Sequence, residues 1–416
     1  MARPLTDAGD LDVLLDRVGE ARVPWLAEAS HGTHEFYAWR AALTERLVAE
    51  RGFSFVAVEG DWPDCDRVDA CVRRLSGAPG DPRAALGTFE RWPTWMWAND
   101  EVAEFCRWLR AHNAVLPQGE RIGFHGLDVY SLWESLRAIL VHLREHDPDA
   151  VPTALAAYRC FEPYDQDPGA YARATRFVPE NCENEVVDLL VRLRERAAAD
   201  GPERFRAWQH AEVVAEAERY YRAMIGGRLE AWNIRDRHMA ATLDRLLAHY
   251  GKGSKAVVWA HNTHVGDARA TDMAEAGEVN LGQLARERHG SADTVLVGFG
   301  SHHGRVVAAR AWGAPTEVLP VPPARPGSLE DVLCDAAPEH AAFVFPDGER
   351  SPEVLTDELG HRAIGVVYHP ERERWGNYVP TVLGERYDAF LWFAETRGVR
   401  PLPMSVGDVL EPVERA

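Results

Sequence analysis

The chain has 416 residues, 46% of them hydrophobic and 9% aromatic, with a formal charge of −19 at pH 7. That apolar content suffices for a packed core and excludes global disorder. The acidic balance argues against non-specific nucleic-acid binding and against attachment to anionic membranes, since both reward a basic surface.

The opening Met1-Ala-Arg-Pro-Leu-Thr-Asp7 holds no apolar core of a signal peptide, and no stretch approaches the length of a bilayer span, so a cytoplasmic protein is expected. Cys65, Cys71, Cys106, Cys160, Cys182 and Cys334 form no Cys-x-x-Cys pair. They suggest neither a zinc knuckle nor a disulfide framework and read mostly as buried thiols.

In chain order, Leu11, Leu14, Leu15 and Val18 predict a helix over 9–20, and Val23–Glu28 a strand. Phe36, Trp39, Leu43 and Leu47 form one stripe of a helix over 33–51, with Gly52 as its C-cap. Arg40 projects inside that apolar arc, either snorkelling to water or aimed into a site. A second strand, Phe53–Glu59, precedes a helix opened by Trp62-Pro63. The three tryptophans of 91–97 read as core or as a pocket wall, ahead of a helix over 99–112. Residues 121–128 form a third strand and its exit.

From 131 to 250 long helical runs dominate, including Glu203–Met224 and Leu229–Tyr250. Strand character returns in Lys255–Ala260, Thr294–Phe299, Arg305–Ala311, Ala341–Phe345, Ala363–Tyr368 and Tyr387–Phe393. The proline-rich segment from Val318 to Pro326 reads as a surface connection. Alternating strands and helices predict an α/β fold over 1–416 as one domain, with 131–250 inserted as a helical lid or cleft wall.

The chemistry gathers at strand exits, where an open α/β sheet binds its ligands. The first carries Glu28 and His31, the second Glu59, Asp61 and Trp62, the third His125 and Asp128, and a later one His261 and His264. A carboxylate beside an imidazole fixes its tautomer and lets it take a proton from water near neutral pH. No Gly-x-Ser-x-Gly elbow supports a serine nucleophile at Ser30, and no His-Glu-x-x-His helix supports a zincin. Glu28, His31, Glu59, His261 and His264 are chemically able to hold zinc or manganese, but a metal is not the favoured reading. No glycine-rich phosphate loop stands at a strand exit, so no nucleotide cofactor is expected.

Leu26-Ala-Glu28-Ala-Ser-His31-Gly-Thr-His34-Glu35-Phe36, Arg40, Val56-Ala-Val-Glu59-Gly-Asp61-Trp62, Phe124-His125-Gly-Leu-Asp128, Trp259-Ala-His261-Asn-Thr-His264 and Arg386-Tyr387-Asp388-Ala389 follow one another along nearly the whole chain. In that set the chain resembles the erythromycin esterases. The resemblance implies a mixed, largely parallel sheet with a helical insertion, and metal-independent hydrolysis of a macrocyclic lactone. It casts His31 as the base that deprotonates water, with Glu28 and Glu59 as active-site carboxylates. Arg40, His261 and His264 would hold the substrate, polarise the carbonyl or protonate the leaving alkoxide. The expected partner is a small molecule, a bulky ester or macrolide. One alternative is another acid–base step on a biosynthetic intermediate, such as cyclisation, dehydration or thioester cleavage. A second is a non-catalytic binding protein.

Overall fold

The computed structural model describes residues 2–164, 167–177, 181–197, 201–337, 339–345 and 353–403. Its strands are β1 (Arg3–Pro4), β2 (Val23–Leu26), β3 (Phe55–Asp61), β4 (Gly123–Asp128), β5 (Ala256–Trp259), β6 (Thr294–Ala309), β7 (Thr316–Val321), β8 (Ala341–Val344), β9 (Glu358–Arg362), β10 (Tyr378–Val382) and β11 (Ala389–Thr396). One nine-stranded sheet runs β1-β8-β11-β6-β2-β5-β3-β4, with β7 paired to β6, while β9 and β10 form a separate pair.

From β11 to β4 every pairing is parallel. The antiparallel members are β1 and β8 at one edge, and β7. The fold is therefore mixed α/β with a largely parallel sheet. Helices cover both faces of such a sheet, which is why β2, β3 and β5 are buried along their whole length and read as near-continuous apolar runs. The chain moves outward from β2 to β3 and β4, returns to fill β5 between β2 and β3, and then crosses to β6 on the other side of β2. That reversal gathers the carboxyl ends of β2, β5, β3 and β4 around one crevice.

Local signals placed several helices well. The helix His34–Arg51 ends at Gly52 with φ of 69°, a left-handed turn that glycine adopts without strain. Trp62–Val72 carries its proline in the first turn. Asp100–Asn113 is capped by the Asn99 side chain, which accepts from Val102 N–H. Helices Pro202–Met224 and Arg228–Tyr250 match the expected runs closely.

Other expectations need correction. Thr294–Phe299 and Arg305–Ala311 are parts of one long strand, β6. The proline-rich stretch is not a bare connection, because Thr316–Val321 pairs antiparallel with β6. As an edge strand β7 tolerates Pro320, which a central strand would not. Ala363–Tyr368 makes only isolated bridges, Ser30 to Ile364 and Ala309 to Val367; the true strands flank it as β9 and β10. Cys160 and Cys182 are joined in a disulfide, against the expectation from spacing. Cys65, Cys71 and Cys106 are buried thiols as expected.

Helices between 132 and 224 pack around a second apolar cluster that includes Leu136, Ile139, Phe161, Val214 and Tyr221. Arg228–Tyr250 behaves differently. Its Met239, Leu243 and Leu246 join the main core, which seats this helix on the sheet beside the strand exits.

Candidate active site

The exit of β2 is pinned at both sides. Glu28 O accepts the Asn262 N–H at 2.8 Å, and Gly32 O accepts the N–H groups of Val307 and Val399, each at 3.0 Å. A Cβ at Gly32 would lie 1.9 Å from Val307 O, so only glycine lets the loop approach β6 this closely. The loop holds His31 with its Nδ1 3.0 Å from Glu28 Oε1. Glu28 Oε2 lies 3.3 Å from Arg40 Nη2, and neither side chain has any exposure. The Arg40 guanidinium sits 4.4 Å from the Tyr37 ring and 4.7 Å from the Trp259 ring, so it is aimed inward and held there by aromatic faces. With Nδ1–H donated to Glu28, the neutral His31 ring presents an unprotonated Nε2.

At the exit of β3 a register shift between Val58 and Asp61 marks a bulge, a device that re-aims side chains. Glu59 Oε2 accepts the His261 backbone N–H at 2.8 Å, and its Oε1 lies 2.7 Å from Arg235 Nη2 and 3.4 Å from His264 Nε2. Burial would raise the Glu59 carboxyl, but His264 and Arg235 outweigh it and hold it well below the ordinary range. Arg235 also grips Asp128 through two bonds of 2.9 and 2.7 Å. Asp128 is likewise held down by Arg235 against the effect of burial.

His264 stacks on Trp232 with ring centroids 4.6 Å apart and donates from Nδ1 to Asp236 Oδ1 at 2.9 Å. Burial disfavours its cation, but Asp236 and Glu59 prevail and push it up to about 9. His261 lies 4.8 Å from the His31 ring, with its Nδ1 2.9 Å from Thr263 Oγ1. Burial, and then His31, push it well below the usual imidazole range, so it stays neutral beside His31.

These groups line two connected lobes of one cleft, a narrow one of about 120 Å³ and a wide one of about 600 Å³. His31, Glu59 and Arg235 face both lobes; His261 and His264 line the wide lobe, Asp61 and Asp128 the narrow one. Asp61 is paired with Arg91. Burial raises its carboxyl despite that pairing.

Not every sequence candidate reaches the cleft. Trp62 and His125 stack on each other 5.7 Å apart in the core, and His125 Nε2 meets Tyr250 OH at 2.8 Å. Burial pulls His125 down to about 4, which suits a neutral structural imidazole. Arg40 stands behind Glu28 and is not among the residues that line the two lobes of the cleft. The tryptophan segment serves both of its proposed roles: Trp95 is core, while Trp97 lines the narrow lobe and donates to Glu59 O at 3.0 Å.

Sequence reasoning missed Arg91, Tyr130, Arg235 and Asp236 as site residues, and placed Trp232 only among the bulky side chains of the helical insertion, read mostly as helix packing with some able to form a lid. For Arg235 a signal existed, since it lies three residues after Trp232 and four before Met239 and so shares their helix face. A charged residue on a face otherwise turned to the core needs a partner. Among the described residues, no group of three or more His, Cys, Asp or Glu side chains converges in a way that would hold a metal ion.

A family model described as erythromycin esterase matches residues 48–396. The chain belongs to the erythromycin esterase family. Membership supports a hydrolase acting on a small molecule. Solved structures agree on the fold: a succinoglycan biosynthesis protein at 20% identity, covering 96% of each chain with a TM-score of 0.79, and a Bacillus cereus protein at 20% identity, covering 97% of each chain with a TM-score of 0.79. A mutant of the erythromycin esterase EreC in its open conformation is 18% identical over 94% of this chain and 95% of its own, with a TM-score of 0.69.

Proposed function

We propose that this member of the erythromycin esterase family hydrolyses an ester or macrolactone, with His31 as general base and water as nucleophile. The observation that carries the reading is the buried line Arg40–Glu28–His31, which ends at the cleft. Arg40 holds Glu28 in place through its contact with Oε2. Glu28 in turn fixes the His31 tautomer and stabilises the imidazolium formed when Nε2 takes a proton from water. The neutral His261 beside His31 spares that imidazolium a second positive ring. The hydroxide then attacks the substrate carbonyl, and the adjoining cations of Arg235 and His264 favour the negative charge that develops there. No step calls on a metal. Asp61 and Asp128, anchored by Arg91 and Arg235, shape the narrow lobe toward polar groups of the substrate.

A wide lobe of about 600 Å³ suits a bulky substrate, falling within the usual range for ligand cavities of roughly 300–1,000 Å³. A turnover screen over macrolides and simple aryl esters, read by mass spectrometry, tests the reading. Hydrolysis adds one water to the substrate mass. A product of unchanged mass or one lighter by a water would instead assign the site to cyclisation or dehydration.

A further inference from the structure

The carboxylates that line the narrow lobe, Glu59, Asp61, Asp64 and Asp128, are all buried, whereas Trp312 lines the same lobe and is 69% exposed. That contrast puts the acids inside and the indole at the mouth. Trp312 stands on the turn between β6 and β7, where the chain reverses through Gly313 at φ of 74°. Its ring meets that of Trp92 with centroids 4.6 Å apart and planes tilted by 58°. Trp92 Nε1 donates to Ala314 O at 3.3 Å, which ties the turn to the segment 91–97. The same segment supplies Arg91, paired with Asp61, and Trp97, bonded to Glu59 O. The aromatic mouth and the polar interior are thus held by one stretch of chain. Packing on Trp92 uses only part of the Trp312 ring, and most of it faces water. A single exposed apolar residue is ordinary on a protein surface. Among the large apolar side chains exposed in the described residues, however, Trp312 alone lines the cleft.

We infer that Trp312 is a specificity-determining residue, and that the substrate is an ester with a slender, uncharged aliphatic chain on one side, laid across the Trp92–Trp312 pair, and its bulkier part on the other. The inference rests on the hydrolase reading above and adds the shape and polarity that the site selects. His31 faces both lobes, so an ester attacked there has one side in each. The narrow lobe, at about 120 Å³, admits only the slimmer side, and the wide lobe of about 600 Å³ takes the rest. An indole face is broad, rigid and apolar, and it gains contact without losing much side-chain freedom. Each methylene that leaves water for that face should lower KM roughly 4-fold. The chain carries no negative charge, because the four carboxylates of the lobe outnumber Arg91 and Arg235, even with Arg67 paired to Asp64.

The test uses chain length. Ethyl esters of straight-chain acids lengthen the acyl side, and acetates of straight-chain alcohols lengthen the alkoxy side. In one of the two series KM should fall roughly 4-fold per methylene over several members, which also tells which side enters the narrow lobe. In Trp312→Ala the ratio of kcat/KM for the longest member of that series to that for ethyl acetate should drop at least about 10-fold, through KM and not kcat. Trp312→Phe, which keeps an aromatic face, should recover part of the drop. An unchanged ratio would overturn the proposal, as would KM independent of length in both series. A loss of equal size at every length, with a lowered melting temperature, would overturn it in favour of mere support for the turn. Turnover of ethyl acetate by the wild type tests the hydrolase reading by itself. If no ester is hydrolysed, that reading fails, and calorimetric titration with 1-octanol decides the role of Trp312 independently: binding at least about 10-fold weaker in Trp312→Ala supports it, and equal affinity overturns it.

Discussion

Replacing Glu28 by Gln and Arg40 by Met, singly and together, separates what this buried ion pair does for stability from what it does for turnover. Both side chains are fully buried, and among the described residues Glu28 is the only carboxylate within ion-pair distance of Arg40. Removing one partner strands the other charge in a dry environment, at a cost of about 3–5 kcal/mol. With an unfolding entropy of about 2.1 cal/mol/K per residue over the 416 residues, each single variant should lose about 3–6 °C of melting temperature. The double variant, Glu28→Gln with Arg40→Met, buries no lone charge and should lose clearly less than the two singles combined. Turnover should not follow stability. Without the carboxylate that orients His31, both Glu28→Gln and the double variant should fall by about 10⁴-fold in kcat, the scale set by loss of the orienting carboxylate in a serine-protease triad. Calorimetry and ester turnover on the four proteins decide the matter. Strictly additive melting losses, or recovered turnover in the double variant, would refute the reasoning.

The pH dependence has a definite sign. His264 is raised from 6.5 to about 9, so its contribution to folding is fully present below about pH 6.5 and is lost as pH rises through 9. The shift corresponds to roughly 3 kcal/mol at full burial. Melting temperature should decline between pH 7 and 9.5 in wild type and more weakly in His264→Gln. Arg235→Met leaves Glu59 and Asp128 buried without their shared cation, and should cost about 3–5 kcal/mol in thermal melts together with most of the activity. Preincubation with a chelator should leave the rate unchanged; a loss restored by zinc or manganese would return the metal reading to the front.

The sequence exposed the site where the chemistry is local. Glu28 and His31 share one strand exit, and alternation of apolar runs with ionisable ends marked β2, β3, β4 and β5 correctly. Their convergence followed from the general rule for open sheets. Helix 228–250 was legible as a helix, but not as a source of Arg235 and Asp236, because docking onto the sheet is a long-range event. Ala363–Tyr368 misled for the opposite reason: its apolar run packs as a loop against the exits of β2 and β6, whereas the real strands beside it carry His361 and Arg362. His361 is paired with Glu330 and Arg362 with Glu373, so burial of those polar residues depended on partners distant in sequence. His125 and Trp62 stood beside residues that line the cleft, yet the pleat of β4 and the first turn of the helix Trp62–Val72 put the two rings in the core, stacked on each other. Arg40 was correctly placed on a buried face; its role through Glu28 needed the structure.

The central claim is that His31 is the base, and the most direct measurement is kcat of His31→Ala on a turned-over ester, with the melting temperature measured alongside. His31 is among the less enclosed members of the site, so the account expects an unchanged melting temperature and a rate reduced at least about 100-fold. A variant that folds normally and turns over at the wild-type rate would contradict the account.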